Sequence, residues 1–213
     1  MNSSTSLRNE VIKTIKNKIQ LNQLQPNEIL TEAQICNELN ISRTPVREAL
    51  IQLVADGVLK KIPRKGFTVE KLDTKSKLDF YSIYAVLDAL AATLAINNLT
   101  KEDILKMHEC VDKMEIALKY QNYPDYYNLQ NYFHNIYISK CENPILINMI
   151  NEMSSREIHR SYISNDVDKL FEALKESNVE HLEIIKLFER KNTQELENFL
   201  RFTHWATKYP DMI

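Results

Sequence analysis

The sequence predicts a mainly α-helical fold: an N-terminal winged helix-turn-helix with a two-stranded wing, followed by an antiparallel all-helical bundle. Apolar residues recur at helical spacing along most of the chain. The 213 residues include only 2 glycines, too few for the turns of an all-β fold or for a phosphate-binding loop. Both glycines lie within residues 57–66, where two short apolar runs flank a turn and predict a strand pair.

The N-terminal elements follow from apolar periodicity and capping residues. Residues 7–24 carry an apolar stripe that predicts the first helix, which should end before Pro26. Thr31 is predicted to cap the second helix and Ser42 the third, which should end at Gly57. The residues expected to form the buried face of the third helix are Val46, Leu50, Leu53 and Val54.

The wing is predicted from residues 58–62 and 66–72, which fit two strands around a turn at residues 63–66. These elements together define a first domain over residues 1–72.

The remaining residues, 73–213, show only helical patterns and predict about seven helices joined by short loops. One of them should open with a capping box formed by Thr100 and Asp103, and another with one formed by Ser177 and Glu180. A separate short helix is expected to begin at Asp166, and Thr193 is expected to cap the last one.

Charge is distributed unevenly along the chain. Residues 1–75 carry 12 Lys and Arg against 8 Asp and Glu, a net of +4, whereas residues 76–213 carry 15 against 21, a net of −6. This asymmetry favours a basic module that meets a polyanion and an acidic module with another task. Three scattered cysteines, a polar N-terminus and no uninterrupted apolar run of about 18 residues predict a cytoplasmic protein without a signal peptide or membrane span.

The third predicted helix carries the candidate residues for binding double-stranded DNA. Arg43 and Arg47 lie one turn apart, and a guanidinium matches the donor and acceptor pattern of guanine or a phosphate. Thr44 and the free N–H groups of the helix start can bind a phosphate, and the wing tip adds cations that can reach the backbone or a minor groove. A solvated cationic helix face is the alternative interpretation. The candidate DNA-binding residues are Thr31, Ser42, Arg43, Thr44, Arg47, Arg64, Lys65 and Gly66.

The motifs "SRTPVREAL", "L..DG.L" and "P.KGF.V", in this order, resemble the DNA-binding domain of the GntR superfamily of bacterial transcription regulators. The resemblance covers about residues 7–72, with Asn27 where a glycine is usual and Ala33 where some members carry a DNA-contacting arginine. The helical remainder resembles the FadR-like subfamily, whose C-terminal domain is an FCD-type effector-binding bundle. Since one recognition helix buries little surface, we expect a homodimer on a pseudo-palindromic operator.

Three of the five histidines are candidate ligands. In the resembled family, an Asp and a His one turn apart on one helix, with one His from each of two later helices, bind a divalent metal that receives a small carboxylate. His134 and His181 match two of these positions, and Gln130 replaces the Asp. The last histidine is expected at Thr203, so His204 lies one residue late, a rotation of about 100°. A small insertion in the turn at residues 189–194 would restore its direction.

Tyr84 replaces an arginine that helps to bind anionic effectors in the resembled family. The candidate effector-binding residues are Tyr84, Gln130, His134, His181 and His204, of which His134, His181 and His204 are candidate ligands of one divalent ion, such as zinc, nickel or manganese. His159 is a spare candidate, for which a basic surface patch is the simpler interpretation.

Two alternatives remain open at the level of the sequence. One is a regulator whose bundle binds its effector without a metal or answers to a protein partner. The other is a metal-dependent enzyme fused to a DNA-binding module. No catalytic residue is predicted, because the chain contains no His-Glu-x-x-His, no Cys-x-x-Cys and no recognisable activated nucleophile.

Overall fold

The chain divides into two compact units that meet, along the sequence, between residues 73 and 74. The structure is a computed structural model that describes residues 3–20, 23–70, 74–155, 167–206 and 208. Each unit has its own core of buried apolar side chains.

The N-terminal unit is a winged helix-turn-helix, as predicted. Its elements are α1 (Ser3–Gln20), α2 (Glu32–Leu39), α3 (Arg43–Ala55), β1 (Leu59–Ile62) and β2 (Gly66–Val69). The strands are antiparallel, with Leu59 opposite Val69. The apolar stripe of α1 is buried in the same core as Val46, Leu50 and Leu53 of α3.

The two helices of the helix-turn-helix begin in different ways. Thr31 caps α2 as predicted: its hydroxyl accepts from the Gln34 N–H at 3.2 Å, and the Gln34 side chain accepts from the Thr31 N–H at 2.8 Å. Ser42 occupies the N-cap position of α3, but the prediction that its side chain caps the helix is wrong. An N-cap side chain accepts from the second or third helical N–H, and Pro45, at the third position, has no N–H.

Gly66 sets the position of the wing. Its φ of +135° favours glycine, and a Cβ at this site would lie 2.5 Å from the carbonyl oxygen of Leu30. Phe67 and Leu30 exchange backbone hydrogen bonds of 2.8 and 2.7 Å beside it. The close approach of β2 to the segment before α2 therefore requires a residue without a side chain.

The C-terminal unit contains six α-helices and one π-helical turn in its described residues. They are α4 (Thr74–Ala95), α5 (Lys101–Lys119), α6 (Tyr123–Ile138), α7 (Pro144–Ser155), α8 (Val167–Arg190), α9 (Thr193–Phe199) and the π-turn (Leu200–His204). The capping box of Thr100 and Asp103 begins α5 as predicted. By length and composition α4 alone among the described helices could cross a membrane, but half of its apolar window is buried inside this unit.

Two predicted helix starts in this unit are wrong. Ser177 and Glu180 lie in the middle of α8, because the apolar stripe runs through residues 167–190 with no glycine or proline to interrupt it. Asn192, rather than Thr193, caps α9, and its side chain accepts from the Glu195 N–H at 3.2 Å. The start predicted at Asp166 lies outside the described residues.

Candidate functional site

Three histidines from distant parts of the sequence meet inside the C-terminal unit. His134 lies on α6, His181 on α8 and His204 at the end of the π-turn, and all three are buried. The Nε2 atom of His134 is 3.4 Å from that of His181 and 3.3 Å from that of His204. One ligand nitrogen from each ring lies within 4.8 Å of the other two.

The π-turn directs His204 into this cluster. The extra residue is accommodated at Leu200–His204, not in the turn at residues 189–194, where a small insertion was one way to restore the direction of His204. There the Trp205 N–H donates to the Leu200 carbonyl at 3.1 Å, a bond that spans five residues rather than four. The π-turn thus holds one residue more than an α-helical turn. This extra residue offsets the difference between His204 and the position of Thr203, where the histidine was expected.

Two of the imidazoles are oriented by hydrogen bonds at Nδ1. His204 Nδ1 lies 2.9 Å from Glu180 Oε2, and since a carboxylate only accepts, Nδ1 carries the proton. His134 Nδ1 lies 2.6 Å from the hydroxyl of Tyr137, which donates to Asp88 Oδ2 at 2.7 Å. The hydroxyl proton is committed to Asp88, so His134 Nδ1 is also the donor. Both rings therefore turn Nε2 toward the centre of the cluster.

Buried charge supports this arrangement. Burial alone raises the pKa of Asp88, but the charge of His134 and hydrogen bonds that include those from Tyr137 and Trp205 outweigh it, and the pKa lies below its ordinary value. The pKa of Glu180 is lowered in the same way, against its burial, by His204. Burial, and then the charges of His204 and His134, hold the pKa of His181 well below its usual range. His181 is therefore a neutral imidazole at neutral pH.

The donor set fits a divalent metal. Two imidazole nitrogens about 2.1 Å from a metal, at a tetrahedral angle, lie about 3.4 Å apart. The Nε2 atom of His134 lies at this distance from both partners, 3.3 Å from Nε2 of His204 and 3.4 Å from Nε2 of His181. His181 Nδ1 is buried and has no hydrogen-bond partner among the residues that the structure describes. A cation that took the place of the protons on this side of the rings would accept one Nε2 lone pair from each of the three imidazoles.

The other predicted site residues lie around the cluster or apart from it. Tyr84 is buried, and its ring packs edge-on against the ring of Trp205, with 4.8 Å between the ring centroids. The ring centroid of Trp205 lies in turn 5.0 Å from that of His134. Gln130 lies one turn before His134 and is half-buried; within the described part of the chain, it makes no hydrogen bond to the three imidazoles. His159 lies outside the described residues.

The predicted DNA-binding side chains are found at the starts of α2 and α3 and at the wing turn of the N-terminal unit. Arg43 and Thr44 are exposed at the start of α3. Arg47 is exposed as well, but its guanidinium forms a bidentate pair of hydrogen bonds with the carboxylate of Glu32 on α2. The exposed wing residues Arg64 and Lys65 lie between β1 and β2, and the hydroxyl of Thr31 is engaged in its capping box.

Comparisons with known proteins decide the family. A model described as bacterial regulatory proteins, gntR family, matches residues 7–69, and a model of the FCD domain matches residues 79–202. The chain belongs to the GntR family of bacterial regulatory proteins, with an FCD domain.

Named relatives of this GntR protein are transcriptional regulators. The HTH-type transcriptional regulator McbR of Escherichia coli is 27% identical over 84% of this chain and 78% of its own length. The Nta operon transcriptional regulator of Aminobacter aminovorans is 25% identical over 83% of this chain and 80% of its own. The solved structure of E. coli McbR has a TM-score of 0.76 and 25% identity, covering 94% of this chain and 92% of that one.

Sequence reasoning missed four residues that support the histidines of the FCD domain: Asp88, Tyr137, Glu180 and Trp205. Asp88 gave a signal, because it is the one charge within the apolar run "AVLDALAATLAI" and a charge buried there needs polar partners. Glu180 directly precedes His181 in sequence but binds His204. No local pattern marked that pairing.

Proposed function

We propose that this GntR-family regulator binds a DNA operator through α3 and the wing. We further propose that a divalent metal held by His134, His181 and His204, together with a small effector, sets its operator affinity. The observation that carries the sensor part is the convergence of three Nε2 atoms, together with the Nδ1 contacts that orient two of the rings: Glu180 holds His204, and Asp88 holds His134 through Tyr137. The relatives named as transcriptional regulators favour this function over an enzyme fused to a DNA-binding module.

Zinc or nickel suits this site better than manganese. Imidazole nitrogen favours zinc and nickel, whereas manganese prefers carboxylate oxygen, and Gln130 offers no carboxylate. A bound ion would supply positive charge, and its free coordination positions could accept an oxygen ligand such as a small carboxylate. Asp88 and Glu180 lie behind the histidines, where they balance charge and hold the ring orientations.

The regulatory role is tested by DNA affinity. A duplex selected by the wild-type protein from a randomised library serves as the operator, and a panel of small carboxylates is screened with zinc or nickel present. We expect one carboxylate to change the affinity of the wild type and of His108→Ala, a histidine outside the cluster, but not of His181→Ala. An effector that acts equally on His181→Ala would place the sensor elsewhere. A protein that selects no duplex would contradict the regulator itself.

We propose that a second copy of this chain covers the exposed face of α4. Its exposed face carries an apolar row at helical spacing, formed by Ile83, Val86, Leu90 and Leu94. The opposite face of α4 is buried in the core. A homodimer made this way in the cytoplasm would present two α3 helices to the two halves of a pseudo-palindrome.

Light scattering tests the dimer. Leu90→Glu places a charge in the middle of the apolar row and should convert a dimer into a monomer at micromolar concentration, because the charge would be buried without a partner. Ile116→Glu changes an exposed apolar residue on α5 in the same way and should leave the dimer intact. A wild-type monomer, or a dimer in both variants, would remove this surface as the interface.

A further inference from the structure

An acidic side chain lies among the cations of the proposed DNA-binding surface. Glu32 is the first residue of α2. The hydrogen bond from Arg47, together with the charges of Arg47, Arg43 and Lys61, keeps the pKa of its carboxyl below the ordinary value in spite of partial burial. Glu32 is therefore a carboxylate at neutral pH. Since a carboxylate repels DNA phosphates, its place in this surface needs a specific reason.

The contact between Glu32 and Arg47 uses one edge of the guanidinium. Arg47 Nε donates to Glu32 Oε1 at 3.0 Å, and Arg47 Nη2 donates to Glu32 Oε2 at 2.9 Å. The side chain of Arg47 nevertheless remains 60% exposed, whereas that of Glu32 is 28% exposed. The edge of the guanidinium formed by Nε and Nη2, which we call the inner edge, is thus bound by Glu32. The outer edge, formed by Nη1 and Nη2, is open.

The outer edge of Arg47 retains the donors that read a base. A guanidinium carries five N–H groups in one plane, and two of them are used by Glu32. The remaining N–H groups are on Nη1 and Nη2, and the edge that these two nitrogens form presents two parallel donors that can bind O6 and N7 of guanine. Glu32 and a guanine can therefore bind the same guanidinium at once.

We propose that Glu32 is a specificity-determining positioning residue that makes Arg47 a reader of guanine in the operator. A long arginine side chain loses rotamer freedom when it is fixed, and Glu32 fixes it before DNA arrives. Glu32 also occupies the Nε edge and adds negative charge, so it disfavours the use of Arg47 as a simple phosphate contact. Both effects raise the ratio of operator affinity to random-sequence affinity. This inference rests on the proposed binding of DNA by α3.

The ratio of two affinities tests the proposal. We would measure binding of the full-length protein to the duplex that the wild type selects from a randomised library, and to a scrambled duplex of equal length and composition. Glu32→Gln keeps the size of the side chain but removes its charge. We expect the ratio to fall roughly tenfold, the scale of one lost bidentate base contact, because affinity for the selected duplex decreases while affinity for the scrambled one does not.

A neighbouring glutamate separates positioning from charge. Glu48 is exposed on α3, one residue after Arg47, and Glu48→Gln removes the same charge close to the same DNA. General electrostatics predicts that this variant tightens both complexes alike, so its ratio should stay at the wild-type value. In an Arg47→Ala background, Glu32→Gln should no longer change the ratio, since the residue that it positions is gone.

The outcomes distinguish the two levels of the proposal. A wild-type protein with no preference for its selected duplex would overturn the DNA-binding function together with this inference. A selective wild type whose ratio is unchanged, or whose two affinities both rise, in Glu32→Gln would overturn the inference alone, because Glu32 would then be inert or would mask Arg47. Circular dichroism spectra that match the wild type ensure that the variants compare folded proteins.

Discussion

At the level of single residues, the backbone conformation of Asn27 explains why this position can depart from the glycine that is usual in the family. A glycine is usual at this position in the resembled domain, and the backbone of Asn27 has a φ of 76°, in the left-handed region. Asparagine is among the few side chains that tolerate this region. Its N–H also donates to Thr68 Oγ1 at 3.1 Å, which ties the residue to β2. The substitution therefore preserves a backbone requirement that glycine would also meet.

Asn27→Ala should lower the free energy of unfolding of the N-terminal unit by about 1 kcal/mol, because a Cβ without a local hydrogen-bonding group costs roughly that much in the left-handed region. Asn27→Gly should stay close to the wild type. Urea unfolding followed by circular dichroism measures both, with Asn37→Ala on the exposed side of α2 as the control. Equal stability of the alanine and glycine variants would show that the φ of Asn27 is not a constraint.

Residue types at the site were predictable where a motif or a local contrast marked them. His134, His181 and His204 stood out by type and position. Asp88 was not predicted, although its charge in an apolar run is a local contrast that marks it. The partners of Asp88 were not predictable, because Tyr137 and Trp205 lie 49 and 117 residues away in sequence. Such contacts depend on how the helices pack, which a single sequence does not encode in any short pattern.

At the scale of secondary structure elements, the same capping pattern had opposite outcomes at two positions. Thr100 and Asp103 begin α5, whereas Ser177 and Glu180 lie inside α8. A hydroxyl and a carboxylate three residues apart also fit the surface of a continuing helix, where such positions are neighbours. What separates the two cases is the preceding chain, since the helix before Ser177 has no interruption from Val167 onward.

The capping box of α5 should make part of the stability depend on pH. Hydrogen bonds from the backbone and side chain of Thr100 hold the pKa of Asp103 below its ordinary value. A lowered folded-state pKa stabilises the protein above the unfolded value of about 4, and this contribution is lost as pH falls through the folded value.

Asp103→Asn should therefore cost roughly 1 kcal/mol at pH 7, and the difference from the wild type should shrink below pH about 4. Chemical denaturation at pH 7, 5 and 3 measures it. Asp112→Asn, an exposed change on the same helix, should show neither effect. A deficit for Asp103→Asn that is as large at pH 3 as at pH 7 would contradict the assignment.

The π-turn makes a prediction about chain length. Deleting Thr203 should turn Leu200–His204 into an ordinary helical turn and keep the imidazole of His204 directed at His134, since the extra residue would be gone. The variant should bind one equivalent of zinc, as Thr203→Ala should. Isothermal titration measures both. Zinc binding that survives in Thr203→Ala and disappears in the deletion would mean that the π-turn itself shapes the site.

At the scale of the whole molecule, the sequence predicted the architecture more securely than the mechanism of sensing. The charge difference between the halves, the order of the motifs and the two glycines indicated a basic DNA-binding module and an acidic helical one, and the family models match both. The sensor required three helical segments to pack so that three rings meet. A one-residue offset at His204 made that meeting uncertain, because a rotation of about 100° separates adjacent helical positions.

The most direct test of a metal held by the three histidines uses the single tryptophan of the chain. The ring of Trp205 lies 5.0 Å from that of His134 and 4.9 Å from that of His204, so its fluorescence should report metal binding. Titrating chelator-treated protein with nickel should give a saturable change at one equivalent per chain, reversed by chelator and weakened as pH falls through about 6. His108→Ala should behave like the wild type, and His181→Ala should show no saturable change. Wild-type fluorescence that stays constant, or an equal response in His181→Ala, would contradict a metal held by the three histidines.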